Sequence, residues 1–289
     1  MSNGQQAVVV TGVSTGIGWG AAKVLTAAGH RVFGSVRNDA DGVRLQREFG
    51  ANFTPLKFDV TNEQAVRAGA KIVRDALGGR KLMGLVNNAG ISVIGPLVYL
   101  PLDEFRKQLE VNLTGVVIAT QAFAPLLGID ETLTGPPGRI VNISSVGGRN
   151  AMPFLTPYNV SKFGLEGLTE GLRRELMPFG IDVISIAPGA VATAIWEKGE
   201  KVDVTPYANT FYARQLEKLK GLAAEQGAKG LKPEFLGGKI MHALTTPKPK
   251  TRYVVTPEPF LNFVLNNLPK RVADRMVASR LGLLPQSKP

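Results

Sequence analysis

Tyr158 and Lys162 lie four residues apart in a segment with helical spacing, so one helical turn would stack them on the same face. A free phenol titrates near ~10, too high for a base at neutral pH. An ammonium about 4 Å away, at an effective dielectric near ~20, favours phenolate by roughly 4 kcal/mol before losses. One pKa unit is worth about 1.4 kcal/mol, so a downward shift of about two to three units is within reach. Such a phenol could protonate a carbonyl oxygen in one direction and deprotonate an alcohol in the other. On most helices a Tyr and a Lys at this spacing are a plain surface pair, so the reading depends on what surrounds them.

A second motif narrows it. Thr11-Gly12-Val13-Ser14-Thr15-Gly16-Ile17-Gly18 follows a short β-branched run and opens a helical segment. Glycines there permit a tight turn and close backbone approach, so amide N–H groups and a helix N-terminus can face a pyrophosphate. The spacing is Gly-x-x-x-Gly-x-Gly, unlike the usual Gly-x-Gly-x-x-Gly fingerprint. A glycine-rich corner alone is weak evidence; on the first strand-to-helix turn of a repeating β/α pattern it points to a dinucleotide. An NAD enzyme of this architecture places a carboxylate at the end of its second strand. Here that strand ends Ser35-Val36-Arg37, with apolar Val36 at that point. Without the carboxylate a 2′-phosphate meets no repulsion, and Arg37 can add a bidentate, charge-assisted contact. Ser14 and Thr15 supply hydroxyl donors nearby. NADP(H) is therefore the expected cofactor, with NAD(H) second. The plainer reading of Arg37 is a loop arginine paired with Asp39 or Asp41.

The elements that must position these residues are written in two hydrophobic periods. Continuous β-branched runs at 7–11, 31–36, 53–58, 84–87, 139–144 and 182–187 read as strands buried on both faces. Helical spacing occupies 18–28, 63–76, 101–127 and 156–179. Two more helical stretches, near 206–226 and 233–245, precede a seventh strand at 252–256, and a last helical segment runs near 260–281. This alternation predicts an α/β fold, a doubly wound parallel sheet of seven strands with helices on both faces. One domain spans 1–289, with an irregular substrate lid at 190–232 and a helical extension at 258–289.

The glycine turn TGxxxGIG resembles that of the short-chain dehydrogenase/reductase family, and further motifs follow in the family's order. Asn87-Asn88-Ala89-Gly90 closes the fourth strand, and Asn112 sits in LEVNLTG. Ser145 ends the fifth strand, Tyr158-x-x-x-Lys162 follows it, and Pro188-Gly189 ends the sixth strand. The tail is similar to that of the subgroup with hydroxysteroid- and retinol-type dehydrogenases. The resemblance implies a Rossmann-type fold and a catalytic set of Asn112, Ser145, Tyr158 and Lys162. Ser145 would hold the reacting oxygen, and it is chosen over Ser144 by its distance from Tyr158. Lys162 would also bond the nicotinamide ribose, and Asn112 would position a water that links Lys162 to solvent. Contacts to the dinucleotide are implied for Gly12, Ser14, Thr15, Gly16, Ile17 and Gly18 at the turn, and for Arg37 beyond the second strand. They are implied also for Asp59, at the adenine, and Val60. Asn87, Ala89 and Gly90 join them after the fourth strand, as do Tyr158 and Lys162. After the sixth strand the implied contacts are Pro188, Gly189, Val191 and Thr193.

The implied reaction interconverts a primary or secondary alcohol and its aldehyde or ketone. Phe154, Leu155, Ile195, Trp196, Tyr207, Phe211 and Tyr212 suggest an apolar pocket, although core packing explains any one of them equally well. A protein that senses NADP(H) without turnover is the alternative; such a protein would tolerate loss of the tyrosine or lysine, and both are present. The resemblance implies assembly through the helices at 101–127 and 156–179, where Gly164, Gly167 and Gly171 would permit close approach, so a homodimer or homotetramer is expected, with the extended C-terminus placed to block one of the two interfaces.

Composition removes other classes. With no cysteine there is no disulfide, thiolate ligand or cysteine nucleophile, which fits a cytoplasmic location. His30 and His242 are far apart, so no metal site is expected. The N-terminus lacks a signal-peptide pattern, and no run of about 18 apolar residues suggests a membrane span. Net charge is +11, but the basic residues are scattered and lack interleaved aromatics, so nucleic acid is not an expected partner. The basic stretch from Ile240 onward reads as a solvated segment, with attraction to acidic lipid or an anionic substrate as the alternative.

Overall fold

In the computed structural model, which describes residues 5–192 and 203–285, the seven β-branched runs form one parallel sheet. They are β1 (Ala7–Val10), β2 (Arg31–Val36), β3 (Phe53–Lys57), β4 (Gly84–Asn87), β5 (Arg139–Ile143), β6 (Asp182–Pro188) and β7 (Arg252–Val255). Their order is β3-β2-β1-β4-β5-β6-β7, every pair parallel. The chain reverses its direction of winding between β1 and β4, and a crevice opens there at the carboxyl ends of the strands. β1 and β4 are buried throughout, because helices cover both faces of the sheet centre. β3 is an edge strand, and only there is Pro55 tolerated, since its missing N–H faces away from any neighbour.

Two apolar cores flank the sheet. On one face α3 (Glu63–Leu77) and α5 (Gly115–Ala124) bury Val66, Val73, Ala119 and Phe123. On the other, α1 (Gly16–Ala27) packs on the helix Pro233–Thr245, burying Ala22, Leu25, Leu236 and Ile240. These two helices cross at glycines. A Cβ on Gly20 would lie 2.4 Å from the Pro233 carbonyl, and one on Gly237 would lie 2.4 Å from Gly20 O.

Three elements differ from the sequence expectation. α2 (Asp39–Phe49) was not expected, because Gly42 and Leu45 are its only buried residues, too thin a stripe to show periodicity. Asn38 starts it, its Oδ1 accepting from Asp41 N at 2.8 Å. The long helix expected at 101–127 is broken into α4 (Leu102–Leu109), a π-turn at Glu110–Thr114, α5 and a second π-turn at Pro125–Ile129. By length and composition this 28-residue run could cross a membrane, which a search for unbroken apolar stretches does not reveal. Here Val116, Ala119 and Phe123 bury it in the core beside α3 and β4. The last helical segment is likewise two helices, Pro259–Asn267 and Lys270–Leu281, parted at Leu268-Pro269.

In chain order α6 (Thr156–Glu175) carries the Tyr-Lys pair, and α7 (Ala213–Ala228) occupies much of the expected lid. The helix on α1 is α8 (Pro233–Thr245), and the extension is α9 (Pro259–Asn267) and α10 (Lys270–Leu281). α10 closes over α7: Leu281 is buried with Phe154, Tyr207 and Leu216, and Gln215 donates to Gly282 O at 3.2 Å.

Gly20→Ala should destabilise the protein. Overpacking costs about 1–3 kcal/mol, more than the roughly 0.5–1 kcal/mol that alanine gains over glycine in a helix. Gly221 in α7 faces open space, so thermal denaturation should show Gly221→Ala melting slightly higher and Gly20→Ala lower than the parent.

Candidate active site

The phosphate turn is tied down from three sides before any ligand arrives. Gly12 and Gly16 adopt φ of 70° and 64°, which side-chain-bearing residues avoid. A Cβ on Gly18 would fall 2.2 Å from Gly12 O and 2.4 Å from Asn88 Nδ2. Asn88 explains that crowding: its Nδ2 donates to Thr11 O and Gly12 O, both at 2.9 Å. The amides of Asn88 and Ala89 donate to Thr11 Oγ1 at 2.9 and 3.0 Å, and Gly12 N donates to Ser35 Oγ at 2.8 Å. Arg44 of α2 donates to Ser14 O at 2.7 Å. Thr15 precedes α1 without a capping side-chain bond, and the first turn holds no acidic residue. The leading amides of α1, which include those of Gly16 and Ile17, thus suit a pyrophosphate in both geometry and charge.

Where the 2′-phosphate of NADP would lie, Val36 is buried and Arg37 is exposed. Among the described residues Arg37 forms no ion pair. Asp39 pairs with Lys57 at 2.6 Å and Asp41 with Arg44 at 3.1 Å. The pairing weighed from sequence is therefore absent, and the guanidinium is left for an anion. Asp59 accepts from Thr61 N and Oγ1 at 3.0 and 2.8 Å, and the neighbouring Val60 is buried against Gly115. Asn87 directs its Nδ2 inward to Asn142 Oδ1 and Thr120 Oγ1, at 2.9 and 3.2 Å. Pro188 ends β6, and Gly189 follows it with its N donating to Val255 O at 2.9 Å. Val191 is buried and bridges Leu231. Thr193, Ile195 and Trp196 lie outside the described residues, so only part of the expected lid is seen.

At the mouth of the crevice Ser145, Tyr158 and Lys162 come together. Ser145 hydrogen-bonds with Tyr158 and accepts from Gly147 N at 3.0 Å. Lys162, on α6, is buried beneath them; its Nζ donates to Ile143 O at 2.8 Å and lies 5.6 Å from the Tyr158 ring centroid. Asn112 sits in the π-turn, where the widened helix lets its side chain bridge two segments. Its Oδ1 accepts from Ile91 N at 2.9 Å, and its Nδ2 donates to Ile91 O and Ser161 Oγ, both at 3.1 Å. Asn112 thereby braces the Gly90-Ile91 loop against α6. Ser144 Oγ is buried and has no partner among the described residues, while Ser145 alone of the two meets the tyrosine.

The electrostatics differ from the simple pair expected. Burial pushes the Tyr158 phenol above its ordinary value, and the Ser145 hydrogen bond pulls it back only in part. Burial also lowers Lys162 to about 8, with the Glu166 carboxylate acting in the opposite direction. Burial acts on both groups in the same sense, because the protein that crowds the pair removes the water that would stabilise either charge.

Beside it stands an aromatic wall. Phe154 has φ of 68°, strained for a residue with a side chain, and its carbonyl accepts from Gly95 N at 2.8 Å. Its ring meets Tyr212 edge-on at 5.6 Å, and Tyr212 also meets Phe211 and Tyr99. Leu155 is half-buried and Tyr207 is buried. Trp19 lies elsewhere, between α1 and α2, donating to Glu48 at 2.9 Å.

A glycine-turn crevice closed by a Ser-Tyr-Lys group defines a dinucleotide-dependent oxidoreductase acting on an alcohol–carbonyl pair. The chain belongs to the short-chain dehydrogenase family, whose model matches residues 6–203. It is 37% identical to an NADPH-dependent 3-dehydrocapnine reductase of Ornithobacterium rhinotracheale, over 96% of this chain and 98% of that protein. It is 32% identical to mitochondrial D-beta-hydroxybutyrate dehydrogenase of Bos taurus, over 86% and 76%. Among solved structures, a short-chain dehydrogenase from Streptomyces avermitilis superposes with a TM-score of 0.76 at 25% identity, over 97% and 98%.

The sequence motif includes Asn88 without giving it a contact, and no spacing marks the Ser35 or Arg44 contacts to the turn. Removing the Asn88 amide leaves two turn carbonyls short of a donor, at about 1–3 kcal/mol. Asn88→Ala should therefore weaken dinucleotide binding about tenfold or more in a fluorescence titration, with an unchanged far-UV spectrum.

Proposed function

We propose that this protein is an NADPH-dependent reductase that converts a ketone on a hydrophobic body to a secondary alcohol. The observation that carries the reading is the meeting of Ser145, Tyr158 and the buried Lys162 at the glycine-turn crevice, with Ser145 hydrogen-bonded to Tyr158 and Lys162 Nζ donating to Ile143 O. That is an arrangement for moving a proton to or from a substrate oxygen. When bound in the crevice, the reduced dinucleotide supplies the hydride that the carbonyl carbon takes up. Ser145 holds the carbonyl oxygen and stabilises the charge that develops on it. Tyr158 gives that oxygen its proton, completing the alcohol. The Lys162 ammonium stabilises the tyrosinate left behind, and Asn112 keeps the loop at Gly90-Ile91 fixed against the helix that carries both groups. Arg37, unpaired among the described residues and with no carboxylate at Val36, supports the choice of NADPH over NADH. The similar reductase from Ornithobacterium rhinotracheale, which is NADPH-dependent, supports the same choice and direction. The wall of Tyr99, Phe154, Phe211 and Tyr212 supports a hydrophobic substrate.

Self-association through α6 is part of this proposal, supported by exposed Val160 and Phe163 and by open space at Gly167 and Gly171. Light scattering should give a multiple of the chain mass, reduced by Phe163→Arg; a monomer at micromolar concentration would remove it.

Loss of NADPH absorbance against a panel of hydrophobic ketones tests the activity. Turnover should be at least tenfold better with NADPH than with NADH, and Arg37→Asp should narrow or reverse that ratio. Tyr158→Phe should cut kcat by a factor of at least a thousand while NADPH still binds with nearly the same affinity. Turnover retained in that variant would show that another group gives the proton. Dinucleotide binding with no turnover on any carbonyl would favour a sensor.

A further inference from the structure

One buried ion pair lies behind the site and is not used by the chemistry described so far. Glu166 follows Lys162 by one turn of α6 and so shares its face. Its carboxylate accepts from Arg252 Nε with both oxygens at 3.2 Å, and Oε1 accepts from Ser185 Oγ at 2.9 Å. Only 18% of the Glu166 side chain and 14% of that of Arg252 are exposed. Ser185 and Arg252 are register partners on β6 and β7, so the catalytic helix is fastened to the last two strands through one carboxylate. The loop after Ser145 packs on the same spot. A Cβ on Gly148 would lie 3.0 Å from Lys162 O and Ser144 Oγ and 3.2 Å from Glu166 Cγ.

A buried ion pair is a poor way to hold two elements together, because desolvating both charges cancels most of their attraction and an apolar pair of similar size does as well. What an apolar pair cannot supply is a field. We propose that Glu166 is a positioning residue for the reaction, one whose carboxylate keeps Lys162 charged, with Arg252 fixing the carboxylate in place and tempering its field. The consequence for turnover rests on the role given to Lys162 above; the effect on Lys162 itself does not.

Glu166 makes no hydrogen bond to Lys162 among the described residues, so the influence runs through space. The charged and titratable groups around this point are Tyr158, Lys162 and Glu166 on α6 and Arg252 on β7. Arg149, Glu170, Arg173 and Lys270 stand on the groove, of about 860 Å³, into which the pair opens between α6, β7 and α9. Lys162 is already brought down to about 8 by burial, the range in which a nearby charge decides whether it is a cation at working pH. The sign follows from that position. A lysine loses its charge as pH rises through its own pKa, so removing the Glu166 charge moves the loss to lower pH. Removing the Arg252 charge takes away a repulsion and moves the loss to higher pH.

The two halves of one salt bridge should therefore act in opposite directions, which a structural strut would not do. The test is NMR titration of the unliganded protein labelled with ¹³Cε-lysine, with the Lys162 resonance identified by its disappearance in Lys162→Met. Glu166→Gln should lower the Lys162 midpoint by about one unit, and Arg252→Gln should raise it. Glu166→Asp and Arg252→Lys, which keep the charges, should move it much less. The alkaline limb of kcat/KM for reduction should follow the same directions. Midpoints unchanged in both neutral variants, or displaced in the same direction, would overturn the proposal. If Glu166→Gln does not fold, the sign of the Arg252→Gln shift decides alone. Midpoints that move as expected while the kcat/KM limb stays put support the field and count against the role given to Lys162.

Discussion

An ammonium stripped of most of its water is the constraint on which the rest of the site depends. Lys162 must be a cation to steady a tyrosinate, yet burial favours its neutral form. The fold answers with a backbone carbonyl, Ile143 O, at the end of β5, and with the Glu166 carboxylate one turn along. Both come from elements anchored in the sheet. The same crowding pushes the Tyr158 phenol above its ordinary value. One physical effect, desolvation, thus acts on both members of the pair and disfavours the charged form of each.

The other half of the site is built from backbone, and its order has a different origin. At the β1–α1 turn the glycines remove side chains where the chain folds tightly on itself. Asn88, Thr11 and Ser35 then take up the polar groups that the tight turn leaves, joining the ends of β1, β2 and β4 into one unit. A dinucleotide laid across this junction meets donors already in place, so little ordering cost remains for binding. The two halves meet at Asn112, whose π-turn lets one side chain hold the loop after β4 and the helix that carries Tyr158.

How much of this was legible in the sequence follows from how far each interaction reaches along the chain. The central strands are readable because burial on both faces forces unbroken β-branched runs, and the half-exposed edge strands β3 and β7 are readable from their place in the alternation. Tyr158 and Lys162 are readable because a helix turns fixed spacing into proximity. Glu166 shares that helix, but its partner Arg252 is 86 residues away, and nothing local marks the pair. Asn88 reaches 77 and 76 residues back to its carbonyls, so it reads as one more residue of a motif. Helix α2 is not legible because it buries so little, and the π-turns because no residue type announces an extra residue in a turn. The direction of the Tyr158 shift in the unliganded protein is not legible for a related reason: spacing gives the neighbour but not the amount of water left around it.

The central claim, that hydride comes from the dinucleotide and the proton from the protein, is tested most directly by isotope transfer. The reaction would be run with NADPH deuterated at C4 of the nicotinamide on the transferring face, in ordinary water, and the alcohol product analysed by mass spectrometry and NMR. The account predicts one deuterium on the carbinol carbon of each product molecule, with the hydroxyl proton drawn from solvent by way of Tyr158. A carbinol carbon free of deuterium, or one that takes deuterium from heavy water when unlabelled NADPH is used, would contradict it.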